Sequence, residues 1–173
     1  ALAAMDGAEE VVFAARGLYA DGHYYANFGH WSLDPDRMMY GPDGGRLAKV
    51  NLRTKKLTVL LDDPQGSVRD PHVHYDGRTI LFSYRKGGTK HFHLYEIKAD
   101  GTGLRRLTSG PHDDLDPIYL PDGEHILFST TRGHTYVRCM PPTNAYVLAR
   151  CDRDGDNIYL VSRNNEPDYL PSV

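Results

Sequence analysis

The 173 residues carry 20 Lys and Arg against 23 Asp and Glu, a formal net charge of −3 at pH 7. No Lys/Arg block stands out, which argues against the clustered basic face of a nucleic-acid binder, and no stretch approaches the ~18 uninterrupted apolar residues of a membrane span. Two cysteines are too few for a disulfide scaffold, while 17 Gly, 11 Pro and 12 Tyr suit many short strands joined by tight turns.

The opening ALAAMDGAEE is small and acidic, without a basic n-region or a long apolar core, so it is not an intact signal peptide. It reads as the middle of a longer polypeptide. Glu10-Val11-Val12-Phe13-Ala14 predicts one strand, within residues 9–16. Tyr24, Tyr25, Phe28, His30 and Trp31 follow as an aromatic cluster, read as core with a sugar-stacking platform as the alternative. Residues 46–52 and 56–60 then predict the two arms of a hairpin.

The middle of the chain repeats. Asp70-Pro71-His72-Val73-His74-Tyr75-Asp76-Gly77, followed by Ile80-Leu81-Phe82-Ser83, recurs 46 residues on as Asp116-Pro117-Ile118-Tyr119-Leu120-Pro121-Asp122-Gly123 and Ile126-Leu127-Phe128-Ser129. A third copy is placed at Glu166-Pro167-Asp168-Tyr169-Leu170-Pro171. A second hairpin also recurs: residues 93–108, turning at Asp100-Gly101, and residues 147–162, turning at Asp154-Gly155. Apolar residues alternate along each arm, the period of half-buried strands. Asp-Gly at each tip tolerates the positive φ of a tight turn.

Each repeat therefore predicts four antiparallel strands, the size and content of a β-propeller blade. The expected fold class is all-β: a partial propeller ring of about three four-stranded blades. Blade one spans 24–62, blade two 69–109 and blade three 116–162, the last lengthened by an insertion at 132–146. Residues 9–16 are expected to belong to a preceding blade, and 166–173 to start the next. A blade buries its faces only by stacking on neighbours. Partners are accordingly expected to be the remaining blades of the same polypeptide, a protein partner or a second copy, and neither nucleic acid nor a membrane span.

The P-D-G-x-x-I-L-F-S and D-G-x-x-L-x-x-L-T patterns resemble the TolB-type (WD-like) repeat over nearly the whole chain. The longer string GSVRDPHVHYDGRTILFSYRKGGTKHFHLYEIKADGTGLRRLTSGPHDDLDPIYLPDG is similar to planctomycete proteins with a domain related to the middle, propeller domain of the hydrazine synthase alpha subunit. Such synthases work through c-type haems, whose attachment needs Cys-x-x-Cys-His. Here Cys139 precedes Met140-Pro141-Pro142 and Cys151 precedes Asp152-Arg153-Asp154, so the resemblance does not extend to haem chemistry.

Candidate chemistry concentrates in blade two, with four of the nine histidines. His72 and His74, and likewise His91 and His93, are His-x-His pairs on strands, so each pair shares a face. Imidazole pairs suit a divalent metal such as zinc, manganese or copper, with Asp70 on the same side as His72. The structural alternative is a polar lining of the central channel. The corresponding blade-three residues are Ile118 and Leu120, so the repeat does not itself demand histidine there. His112-Asp113-Asp114-Leu115-Asp116 offers carboxylates for calcium or for turn bonds to the backbone, the latter also expected of an Asp70/Asp116/Glu166 repeat position. Asp152–Asn157 coincides with a hairpin tip and reads as a turn. Cys139 and Cys151 flank the insertion and form either a disulfide or two buried thiols. Ser83 and Ser129 are repeat residues, and no nucleophile elbow, phosphate-binding glycine loop or HExxH occurs.

The expected function is a non-catalytic scaffold or interaction module of a larger extracytoplasmic protein, binding a partner protein or small ligand through loops and central funnel. The alternative is a metal-assisted lyase on acidic sugars. A peptidase-gating propeller is a third reading, without a hydrolase domain in this chain.

Overall fold

A computed structural model describes residues 9–17, 44–138 and 144–173, with two short strand segments at 30–31 and 34–38. The strands are β1 (Glu10–Ala15), β2 (His30–Trp31), β3 (Asp34–Met38), β4 (Gly45–Asn51), β5 (Leu57–Asp63), β6 (Ser67–Val73), β7 (Thr79–Arg85), β8 (His93–Lys98), β9 (Arg105–Arg106), β10 (Asp114–Tyr119), β11 (His125–Thr130), β12 (Val147–Asp152) and β13 (Tyr159–Leu160). Two sheets are four-stranded and antiparallel, in the order β6-β7-β8-β9 and β10-β11-β12-β13. A third has the order β1-β4-β5, and β2 pairs with β3 by itself. Among the described residues there is no helix, and so none long and apolar enough to cross a membrane. The three blade sheets form an arc of a β-propeller.

Meander order follows from the sequence. Each Asp-Gly tip joins neighbouring strands by a short antiparallel turn, with Gly77, Gly101, Gly123 and Gly155 all at positive φ. Gly155 is required twice over, because a Cβ there would collide with the Leu107 carbonyl of blade two. Within β7, Ile80, Phe82 and Tyr84 face a core shared with Leu47 and Leu60 of the first blade sheet, while Leu81 faces Tyr119, Ile126 and Phe128 of blade three. Both faces of the strand are thus buried between blades. Each fully buried Leu, Ile or Phe contributes about 1.5–3 kcal/mol relative to exposure.

Two expectations are corrected. β1 does not belong to a preceding blade: it pairs with β4 in unbroken register from Glu10↔Asn51 to Ala15↔Arg46. Val12 and Ala14 pack there against the core between the first two blades. Tyr24, Tyr25 and Phe28, between β1 and β4, lie outside the described residues.

The second correction concerns the third copy. The innermost strands bulge, with the β6–β7 register slipping between Arg69 and His72 and the β10–β11 register between Leu115 and Ile118. Asp70 (φ 55°) and Asp116 (φ 51°) hold these bulges, each followed by a proline that cannot donate to the ladder. The matching residue is Leu170, at φ 52° and before Pro171, and not Glu166. Its N–H reaches Asp116 Oδ2 across 54 residues, where the Asp116 N–H reaches Asp70 Oδ2 across 46. The longer interval is taken up by blade three's excursion between β11 and β12, which returns through a bridge between Tyr136 and Asn144.

Candidate functional site at the inner strands

The bulges of successive inner strands meet around a cavity of about 200 Å³, lined by Asp70, Pro71 and His72, then Asp116, Pro117 and Ile118, then Leu170 and Pro171. A ladder of side-chain bonds ties these strands together. The Asp116 N–H donates to Asp70 Oδ2 at 3.3 Å and the Leu170 N–H to Asp116 Oδ2 at 3.4 Å. Arg69, itself buried, donates from Nε to Asp70 Oδ2 at 2.6 Å, and its Nη2 lies 3.7 Å from Asp116 Oδ1. Burial first, and the Asp70 carboxylate second, push the Asp116 carboxyl up to about 6 against the pull of Arg69.

His72 and His74 share a face, as the strand period requires, and both rings pack on Tyr119, with centroids 5.8 Å and 4.6 Å away. His72 Nδ1 accepts the Tyr119 N–H at 3.4 Å, and burial, then His74, holds its pKa below the usual imidazole value. His74 Nδ1 accepts the Asp76 N–H at 3.1 Å, and Nε2 lies 3.2 Å from the Gly123 carbonyl. Of the predicted trio, Asp70 and His72 reach the cavity, while His74 has both ring nitrogens against protein partners. Among the described residues no three His, Cys, Asp or Glu side chains converge as a metal-holding group.

Tyr119 is the residue that sequence reasoning missed. Fully buried, it donates its hydroxyl to Glu96 Oε1 at 2.6 Å, and Glu96 Oε2 accepts from Arg105 at 2.8 Å. Burial and the Glu96 carboxylate raise its pKa. The available signal was a lone tyrosine at the position where blade two has Val73.

His91 and His93 occupy the opposite end of blade two, with ring centroids 6.5 Å apart. His91 Nδ1 lies 3.4 Å from Asp113 Oδ1, and His93 Nδ1 lies 3.7 Å from Asp114 Oδ2. The acidic run beside them is spent on the junction. Asp113 accepts the Phe92 N–H at 2.9 Å; Asp114 accepts from Thr130 Oγ1 at 2.7 Å and from Arg132 Nη2 at 2.8 Å. His112 packs edge-on against His134 at 5.2 Å, and burial, then Arg132, lowers its pKa. The Asp152–Asn157 tip closes on itself, Asn157 Nδ2 donating to Asp152 Oδ2 at 2.6 Å. Cys151 is fully buried in the core between blades two and three, where burial raises its thiol to about 12. Cys139 lies outside the described residues, and with it the proposed pairing. Ser83 and Ser129 occupy matching, fully buried places on β7 and β11.

Comparison with known proteins agrees with this architecture. No family model matches the chain. Hydrazine synthase subunit alpha of Kuenenia stuttgartiensis is 31% identical over 116 residues, which is 66% of this chain and 13% of that protein. The solved Kuenenia stuttgartiensis hydrazine synthase superposes with a TM-score of 0.71 at 21% identity, covering 93% of this chain and 26% of that one. A TolB from Agrobacterium tumefaciens superposes with a TM-score of 0.56 at 19% identity, covering 81% and 52%. The chain thus spans a small part of the relatives it matches. Its blades form a TolB-like propeller segment that resembles, in sequence and in fold, part of hydrazine synthase.

Proposed function

We propose that this segment is a non-catalytic interaction module of a longer, extracytoplasmic polypeptide, holding loops and a central funnel toward a partner protein or small ligand. One observation carries the reading. The side chains most able to do chemistry at the inner strands are engaged in joining blades: Asp70 and Asp116 in the strand ladder, His72 and His74 around Tyr119. Arrangement for rigidity is what a scaffold needs. Further blades are the fitting occupants of the outer faces, where Val11, Phe13, Leu57 and Val59 are exposed on one side and Val161, Leu170 and Val173 on the other.

Metal content tests the reading. The purified chain, dialysed against zinc, manganese and calcium in turn, is expected to retain less than about a tenth of an equivalent of each. One tightly held equivalent of zinc or manganese, lost in His72→Ala, would transfer support to a metal-assisted, lyase-like activity.

A further inference from the structure

Lys49 of β4, Arg78 of the β6–β7 turn and Lys98 at the end of β8 line one cavity of about 350 Å³ between the first two blades, with Ala99 and Asp100 completing its wall. That volume falls in the range of small-molecule sites, about 300–1,000 Å³. The cations are reachable from solvent: Arg78 and Lys98 are exposed, and the Lys49 side chain is 17% exposed. Lys49 Nζ donates to Glu10 Oε2 at 2.9 Å. The Asp100 carboxylate is turned to its own hairpin tip, where it accepts from the Thr102 N–H at 2.9 Å and from the Thr102 hydroxyl at 2.7 Å. Lys49, Arg78 and Lys98 outnumber Glu10 and Asp100, so this corner is positive in a chain whose net charge is −3.

The blade repeat does not account for these cations. In blade three the Glu124 carbonyl receives the Arg153 N–H, as the Arg78 carbonyl receives the Ala99 N–H. Asp152 opens that tip as Lys98 opens this one, its N–H donating to the Asp156 carbonyl where Lys98 donates to Thr102. Glu96 has the place on β8 that Lys49 has on β4, two residues after the core leucines Leu94 and Leu47. The same corner between blades two and three thus carries Glu96, Glu124 and Asp152. Charge is reversed at all three positions, and the blades pack with either sign.

The three cations come from three separate elements and approach one space from different directions. A carboxylate is planar and offers two oxygens, whereas a phosphate group offers three around a tetrahedral centre. Lysine supplies compact point charges for such a group, and arginine a two-pronged edge. The apolar stems of the same side chains, with Ala99, form walls for the rest of a ligand. We infer that the cavity between blades one and two binds a phosphate-type oxyanion, held by Lys49, Arg78 and Lys98. The group is carried on a small phosphorylated molecule or is free phosphate. This site shares no residue with the inner-strand cavity and does not rest on the scaffold reading.

Titration of the 15N-labelled 173-residue chain provides the test. Sodium phosphate should shift the backbone N–H resonances of Arg78, Ala99 and Asp100 saturably, and sodium chloride at matched ionic strength should not. Calorimetric affinity for phosphate should fall about tenfold or more in Arg78→Glu and in Lys98→Asp. Both variants carry the charge that blade three has at the matching place, and circular dichroism should show the wild-type fold. Lys86→Glu makes an equal change of net charge beyond the other end of β7. That is about 25 Å away along the strand, well past the ~8–10 Å screening length, so affinity should stay within about twofold. Glycerol 3-phosphate binding about tenfold more tightly than phosphate would assign the site to a phosphorylated molecule; no gain over phosphate would assign it to the free anion. Indistinguishable responses to phosphate and chloride, or a loss in Lys86→Glu as large as in Arg78→Glu, would overturn the proposal.

Discussion

Asp116 shows how one side chain can join two blades and also make the joint sensitive to pH. Its carboxyl titrates at about 6 in the fold, above the ordinary 3.8, so between those values the folded chain holds a proton that the unfolded chain releases. Stability from this group is therefore present below 3.8 and is lost as pH rises through about 6. Asp116→Asn keeps an acceptor for the Leu170 N–H and removes the repulsion from Asp70. Denaturant titrations should find the variant more stable than wild type at pH 7.5 by about 1–3 kcal/mol, with the difference closing toward pH 4. A wild type whose stability does not fall between pH 4.5 and 7 would contradict this account. Tyr119→Phe should act in the opposite direction. It leaves Glu96 with an unanswered oxygen in a buried place, at a cost of about 1–3 kcal/mol in the same titration.

Among elements, the inner-strand bulge sets the geometry of the site, and its third instance is built on an unsuitable residue. Leucine at φ 52° is strained, since a left-handed conformation costs non-glycine residues about 1–2 kcal/mol. Leu170 is 67% exposed, so little packing is lost on its removal. Leu170→Gly should raise the melting temperature, and a fall would mean that the side chain contributes more than its exposure implies. The same strand shows where sequence reading stopped. Hairpins, the shared face of His72 and His74, and the strand order were legible because alternation and Asp-Gly turns report them directly. The register of the third copy was not, because Pro167 and Pro171 lie four residues apart and Tyr169-Leu170-Pro171 imitates Tyr119-Leu120-Pro121. Only the backbone conformation separates the two alignments. The pairing of β1 was hidden for a related reason: a short apolar run carries no mark of the strand it will pair with when that strand lies far along the sequence. Nor did sequence patterning reveal the Tyr119–Glu96 bond, since its partners lie 23 residues apart with no motif connecting them.

Across the whole molecule, an arc of blades has two ends where a closed ring has none. Val59 and Val161 sit on opposite outer faces, 47% and 53% exposed, among other exposed apolar residues. Apolar surface of this kind favours association. Sedimentation of the 173-residue chain should show concentration-dependent self-association, reduced in a Val59→Glu, Val161→Glu double variant that keeps the wild-type fold. A monomer at all concentrations would show that the arc caps its own ends.

The ladder through Asp70, Asp116 and Leu170 also has a direction, because each carboxylate receives the backbone N–H of the blade that follows it in sequence. On a translating ribosome the acceptor is thus made before the donor it will hold. N-terminal units generally fold first during synthesis, and a finished blade presents the next inner strand with a fixed oxygen at the place where its bulge must form. The order of translation and the order of docking then coincide, one blade serving as the template for the next.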